Sequence, residues 1–527
     1  FHLDEDFRMR GMVLALCLLV AGPALAQDQP SATSFATDAR TTELDAYIDK
    51  AMGDWKMPGL SIAIVKDGQT VYLRGFGVRT VGEPTRVDTH TRFGMMSTTK
   101  ALTAMAVAML VDEGKLAWDD PVQKTLPWFQ LADAEFSRKL TVRDTLTHNA
   151  GLAPEADMLW VRGDLDSRQI LERVRELEPA YTPYSSFIYA NVMYELAGEL
   201  VSAASGMPWS RFVETRIFAP LGMTESSATH AGMLAQNSGN VSTAHFEIDG
   251  KLKRIGDGTV DSVPAAGAAW SSATDMARWM NFLLAGGQWD GKRLLSEANF
   301  REMFKPQALV PASQFYPTAQ LTQPHWVSYG LGWFQQDYRG HYVAMHTGSI
   351  DGRVSIIGLM PDANLGVYVF GNADHVELRH ALMWKAMDLY TDAPARDWSA
   401  ELLTLYGDAK KKGKAEERAQ NARRVKGTQP SHALSAYAGT YLHPAFGDIE
   451  VERRNGRLVL RFGPLPQNQG PLTHWHYDSF RWRAGDGRYG DMAVRFEQAG
   501  DGNVSALILG GEDSIRFVRK APPAKAN

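Results

Sequence analysis

The sequence predicts an α+β protein: an antiparallel sheet drawn from two distant stretches of chain, a helical lobe between them, and a small all-β barrel behind. Three patterns carry that expectation. Apolar strand-like runs bounded by turn residues fall at 61–76 and return at 342–370, with mainly helical periodicity between. Beyond residue 431 the apolar runs are all short and separated by turn signals. A charged stretch, 391–431, divides the two patterns.

Taken in order, Met9-Arg10-Gly11, the apolar run Met12 to Leu19 and Ala24-Leu25-Ala26 read as a signal peptide, with residues 1–8 upstream of its basic segment. Export to the periplasm or medium is therefore expected. The only cysteine, Cys17, lies in that run, so the mature chain would hold no thiol for disulfides or catalysis. Glu43 to Trp55 has amphipathic helical spacing. Ser61 to Val65 and Val71 to Phe76 form a hairpin around Asp67-Gly68. The chain from Ser97 to Leu284 is mainly helical with long loops. Strands follow at Tyr342 to Met345, Val354 to Leu359 and Leu365 to Phe370, then a helix from Val376 to Tyr390.

The basic run Lys410-Lys411-Lys412, Arg423-Arg424 and Lys426 is interspersed with Glu416 and Glu417, which suits a solvated linker helix rather than a nucleic-acid surface. Past it, Ile449 to Val451, Leu458 to Leu460, Phe480 to Trp482, Val494 to Phe496 and Ile515 to Phe517 are strands, with turns at Asn455-Gly456 and Asp486-Gly487, giving an antiparallel barrel. His474-Trp475-His476 could turn two imidazoles to one face and hold a metal. The interleaved Trp475 and Tyr477 favour an aromatic barrel wall, and no metal or cofactor is expected. The domains are thus 1–26 (upstream residues and signal peptide), 27–390 (catalytic), 391–431 (linker) and 432–527 (barrel). A formal charge of −5 gives no general attraction for nucleic acid or anionic membranes. No apolar stretch outside the signal segment is long enough to span a bilayer.

Chemistry concentrates in three short motifs. Ser97-Thr98-Thr99-Lys100 opens an apolar helix (Ala101, Ala104, Val107, Leu110, Val111) that Gly114 closes. Ser97 then lies near a helix N-terminus, where an oxyanion is favoured, and Lys100 falls on the same face one turn on. A lysine between apolar walls loses proton affinity and can activate a serine. Tyr189-Ala190-Asn191 adds a phenol to relay the proton and an amide to hold the lysine and a substrate carbonyl. His346-Thr347-Gly348-Ser349 ends a strand-like run. There Gly348 would admit substrate to the backbone, the Ser349 N–H would join that of Ser97 as an oxyanion donor, and His346, only partly charged at neutral pH, could hydrogen-bond or attract a substrate carboxylate.

These motifs, with Leu146-Thr147-His148-Asn149-Ala150-Gly151-Leu152, Pro220-Leu221-Gly222-Met223 and Tyr329-Gly330-Leu331-Gly332-Trp333, make the chain over roughly 40–390 resemble the serine β-lactamase-related family of class C β-lactamases, D-aminopeptidases, DD-carboxypeptidases and esterases. The region behind it resembles the lipocalin-like C-terminal domain of some members. The resemblance implies an acyl-enzyme hydrolase with Ser97, Lys100 and Tyr189 catalytic and Asn191, His346, Thr347, Gly348 and Ser349 around the substrate. Tyr-Ala-Asn has the class C form. His346, where those enzymes carry lysine, resembles the peptidase branches, so amide bonds of D-amino acid or unusual peptides are the expected substrate. The alternatives are an esterase, a weak β-lactamase, or a non-enzyme: an acylated penicillin sensor or a lipocalin-type binder. Pocket shape is expected from loops around Trp160, Trp270, Tyr316 and Trp326. The barrel is expected to cap the cleft or to mediate a homo-oligomer. Competing motifs fail: Gly59-Leu60-Ser61-Ile62-Ala63 lacks the last glycine of a nucleophile elbow, and no His-Glu-x-x-His occurs.

Overall fold

Asp67 and Gly68 make the first hairpin because both can take positive φ, here 53° and 77°. The computed structural model describes residues 39–511 and 514–521, so the signal-peptide segment and Cys17 fall outside the described residues. The hairpin joins β1 (Gly59–Lys66) to β2 (Gln69–Gly77). Six more strands complete the sheet: β3 (Ala308–Leu309), β4 (Val327–Tyr329), β5 (Phe334–Tyr338), β6 (His341–Ile350), β7 (Arg353–Met360) and β8 (Leu365–Gly371). Their order is β2-β1-β8-β7-β6-β5-β4-β3, antiparallel throughout, so β1 pairs with β8 across the long insertion. The short strands β3 to β5 widen the sheet beyond the strands expected from sequence.

Every residue of β7 and β8 is buried, because helices cover both faces. The principal helices are α1 (Ala39–Trp55), α2 (Lys100–Asp112), α3 (Asn191–Ser205), α4 (Ala273–Leu284), α5 (Leu378–Tyr390) and α6 (Trp398–Ala422). A Cβ on Gly366 would meet Met280 of α4, and one on Gly358 would meet Met383 of α5. Gly366 pairs with Leu359, the neighbour of Gly358, so α4 and α5 lie on opposite faces. In the helical lobe α2 is buried from Lys100 to Leu110 and packs on α3.

Helix α6 begins in the core, where Trp398 Nε1 donates to Asp388 at 2.7 Å, and runs out into solvent from Asp408 onward. Eight strands then close a barrel: β9 (Gly439–His443), β10 (Gly447–Arg454), β11 (Arg457–Phe462), β12 (Gln469–His476), β13 (Ser479–Arg483), β14 (Asp491–Gln498), β15 (Val504–Leu509) and β16 (Ile515–Arg519). The His474-Trp475-His476 segment ends barrel strand β12, where the His474 ring packs edge-on against the buried Phe480 ring. A bulge breaks its alternation, and main-chain groups hold the imidazoles: His474 Nε2 meets Tyr477 O at 2.9 Å, and His476 Nδ1 accepts from Val425 N at 3.2 Å. Trp475 lies between the Arg424 and Arg481 guanidiniums. Among the described residues no helix is long and apolar enough to cross a membrane.

Candidate active site

The nucleophile turn is set by close backbone approaches. Met96 is buried with φ of +51°, a conformation that costs a non-glycine residue about 1–3 kcal/mol. Surrounding groups enforce it. Met95 N donates to Ala269 O at 2.7 Å, and Met95 O accepts from Ser355 Oγ at 2.6 Å and Thr98 Oγ1 at 2.7 Å. Ser97 follows in a 3₁₀ turn, Met96–Thr99, and Lys100 opens α2. The serine thus stands one turn ahead of the α-helix that the sequence places it on.

Gly348 explains the close fit from the other side. A Cβ there would lie 2.4 Å from Met95 O and 2.7 Å from Met96 Cβ. Its missing side chain therefore admits the protein's own nucleophile turn, not the substrate. The motif also lies inside a strand rather than at its end. β6 pairs with β7 through Ile350, but with β5 only as far as Met345. Residues 346–350 consequently have a strand neighbour on one edge only. Ser349 and Ile350 share a small pocket with Ser97, Asn191, Trp160, Val260, Val263 and Gly267.

Lys100 is fully buried, and its surroundings fix its hydrogen-bond valence. Nζ lies 2.7 Å from Asn191 Oδ1, 2.8 Å from Ala266 O and 3.1 Å from Ser97 Oγ. Burial lowers its pKa to about 7, while the Asp157 carboxyl acts in the opposite direction. A neutral amine has two N–H groups and one lone pair. Two acceptors, the Asn191 and Ala266 oxygens, take the N–H groups, which leaves the lone pair for the Ser97 hydroxyl. Asn191 presents its oxygen to Lys100 because its Nδ2 donates to Asp157 Oδ2 at 2.6 Å. Burial raises the pKa of Asp157 itself, with Asn191 opposing.

Tyr189 meets Lys100 differently from the sequence expectation. The Lys100 nitrogen lies over the phenol ring, 4.7 Å from its centroid. Burial pushes the phenol well above its ordinary value, so it is a neutral acid at ordinary pH; the Ser97 hydroxyl opposes that shift, although no hydrogen bond to Tyr189 forms. Behind it, His148 stacks at 4.2 Å and accepts from Ala190 N through Nδ1.

His346 is corrected most. Its ring is buried, Nδ1–H donates to Thr347 O at 2.7 Å, and Nε2 accepts from the Tyr329 hydroxyl at 3.0 Å. Burial, reinforced by the Lys100 charge, lowers its pKa to about 3. It is neutral and internally bonded rather than a partly charged carboxylate receptor. Thr347 Oγ1 meets the Tyr316 hydroxyl at 2.7 Å. Of the four expected aromatics, Trp160 lines the Ser97 pocket and Tyr316 stands behind Thr347; Trp270 is buried against Arg353, and Trp326 is partly exposed.

Three contributors escaped the sequence reading. Asp157 orients Asn191, and His148 backs Tyr189. Arg379 donates through Nη1 to Gly348 O, Ser349 Oγ and Ser355 O while Glu377 holds its other nitrogens. His148 lay in a quoted motif, but Asp157 and Arg379 carry no spacing signal.

Comparison with known proteins places the chain by family and fold. Residues 44–392 match the β-lactamase family, and 423–519 match a domain of unknown function, DUF3471. The curated unguisins hydrolase ungD of Aspergillus violaceofuscus is 26% identical over 468 residues, spanning 80% of this chain and 79% of the relative. Protein flp of Staphylococcus aureus is 23% identical over 339 residues, 64% of each chain. Among solved structures, the octameric penicillin-binding protein homologue from Pyrococcus abyssi superposes with a TM-score of 0.60 at 24% identity, covering 91% of this chain and 99% of that one. SurE superposes at 0.55 and 22% identity, covering 92% and 99%. These two likenesses establish the fold, barrel included.

Proposed function

The chain belongs to the β-lactamase family and is a serine hydrolase, and from that premise we propose that it cleaves amide bonds of peptides, with D-amino acid or unusual peptides favoured, through an acyl-enzyme on Ser97. The observation that carries this reading is the valence of Lys100: with both N–H groups committed, its lone pair takes the Ser97 proton as Oγ attacks the carbonyl. Tyr189, a neutral phenol beside both, gives a proton to the leaving amine and is restored by Lys100. The N–H groups of Ser97 and Ser349 receive the oxyanion. Water then releases the acyl group by the reverse path.

Two features support a peptide. The one-sided edge of β6 at Ser349 and Ile350, which line the Ser97 pocket, offers main-chain pairing that an extended peptide can use. A neutral His346 supplies no cation for a β-lactam carboxylate. In addition, SurE has been solved with D-Leu, a D-amino acid. Export is proposed from the segment 9–26 alone.

A panel of p-nitrophenyl esters, D- and L-aminoacyl anilides, a D-Ala-D-Ala peptide and nitrocefin tests the reading. Steady turnover of D-aminoacyl anilides above L-forms and nitrocefin is expected. A fluorophosphonate should leave one mass adduct, lost in Ser97→Ala. Rapid nitrocefin hydrolysis with inert anilides would overturn the peptide preference, and an acyl-enzyme that never turns over would make the chain a sensor.

A further inference from the structure

The pocket at Ser97 is small, about 50 Å³. A cavity of about 340 Å³ lies beside it, where the barrel mouth meets the segment 154–161. Its wall is mostly apolar, with Met158 and Val161 from the catalytic region and Phe462, Trp482, Met492 and Ile515 from the barrel. Ligand sites commonly have this size and character.

No residue lines both spaces, but two segments connect their walls. On one side, the short helical turns Pro154–Asp157 and Met158–Val161 carry Trp160 to the Ser97 pocket and Met158 and Val161 to the barrel cavity. Asn468 Nδ2 fixes this rim by donating to Val161 O at 2.8 Å, as does Arg162 Nη1 by donating to Phe446 O at 3.0 Å and Asp448 O at 2.8 Å. On the other side, Ile350 lines the Ser97 pocket, while its neighbour Asp351 pairs with Arg488 at 3.0 Å and accepts from the Tyr489 hydroxyl. Tyr489 in turn lines the barrel cavity. The barrel therefore grips both rims of the nucleophile pocket.

We propose that the barrel-mouth cavity is a subsite for apolar side chains of the peptide cleaved at Ser97, an inference that rests on the peptide reading above. The apolar wall, with Met158, Val161, Phe462 and Trp482 on the cavity, selects Leu-, Phe- or Val-like side chains of that peptide.

The test uses the full chain and anilide or peptide substrates sharing one scissile bond, either short or extended by Leu-Phe on the acyl side or on the leaving side. One extended series should exceed the short substrate in kcat/KM by at least about tenfold. That ratio should fall to near one in Trp482→Ala and in Met492→Glu; Met492 is a rim residue 42% exposed, so its variant keeps the test usable if the tryptophan variant fails to fold. No gain on either side, or a gain that survives both variants, overturns the subsite. Free Leu-Phe amide should compete with the extended substrate; if it instead accelerates the short one, the cavity is an effector site and the proposal is wrong. Inertness of every amide, short and extended, would remove the peptide reading itself, a failure distinct from loss of the increment.

Discussion

In the barrel strand β11, Leu458, Leu460 and Phe462 are buried while Val459 and Arg461 between them are half-buried. A period of two describes that strand, and one face decides its stability. In β6, Val343 through Gly348 are all buried, and polar His346 and Thr347 are among them. Each polar group there is matched to a named partner, and Gly348 is small because another backbone occupies its side-chain volume. The barrel is specified by a pattern, the nucleophile region by individual fits. Apolar swaps of similar volume in the barrel should therefore be tolerated, whereas single-atom changes around Ser97 should not.

The largest contrast is expected at Lys100. Replacement by Met keeps much of its volume but removes the base, and should lower kcat by about 10³-fold or more in steady-state assays, with little change in barrel stability. Tyr189→Phe in the same background should add little, as for residues acting together; losses that simply multiply would separate their roles.

Gly348→Ala should rank next. The added Cβ meets Met95 O at 2.4 Å and Ser355 Oγ at 2.5 Å, so the nucleophile turn must shift. A loss of roughly 1–3 kcal/mol in stability and about 100-fold in kcat is expected from such overpacking and misplacement. Unchanged denaturation and kinetics would show that the turn is softer than its contacts imply.

His346→Gln isolates a stability term. The folded pKa of about 3 lies below the ordinary unfolded value of 6.5. The contribution of a neutral His346 is thus fully present above about pH 6.5 and is lost as pH falls toward 3. By pH 5 the loss is on the order of 2 kcal/mol, and Gln should remove it. The comparison to make is between urea midpoints at pH 7 and pH 5, wild type against variant.

The smallest effect is expected at Asp157→Asn. The Asp157 carboxyl favours charged Lys100, so its removal should lower the lysine pKa further. The acidic limb of the kcat/KM profile, expected near pH 7, should move to lower pH by about one unit or less. Movement upward would contradict the assigned sign.

Much of this was legible in sequence because the motifs combine local structure with chemistry. Asp67-Gly68 requires a hairpin turn, and the apolar run after Ser97 requires a buried helix, so the placement of Ser97 and Lys100 together follows. Five barrel strands were found in advance; Gly439–His443 and Val504–Leu509 were missed, and of Gln469–His476 only the end, 474–476, was placed in the barrel wall, because Pro471 and the bulge at His474 disturb its alternation. The environment of His346 was not legible, since its charge is decided by the Tyr329 hydroxyl, the Thr347 carbonyl and burial from elements distant in the chain. Asp157 was invisible for the same reason: it acts through Asn191, from another segment, with no motif of its own.

The positive φ of Met96 carries a lesson for anyone transplanting this chemistry. A scaffold given the serine, lysine, tyrosine and asparagine in the right order would still lack the space around them. Gly94 has no side chain where the Met96 thioether packs, Gly348 has none where Met95 and Met96 lie, and Gly332 has none where a Cβ would come within 3.0 Å of Lys100 O. These glycines come from three separate stretches of chain. A graft would have to import these empty positions along with the functional groups, because they hold open the mould in which the nucleophile turn is cast.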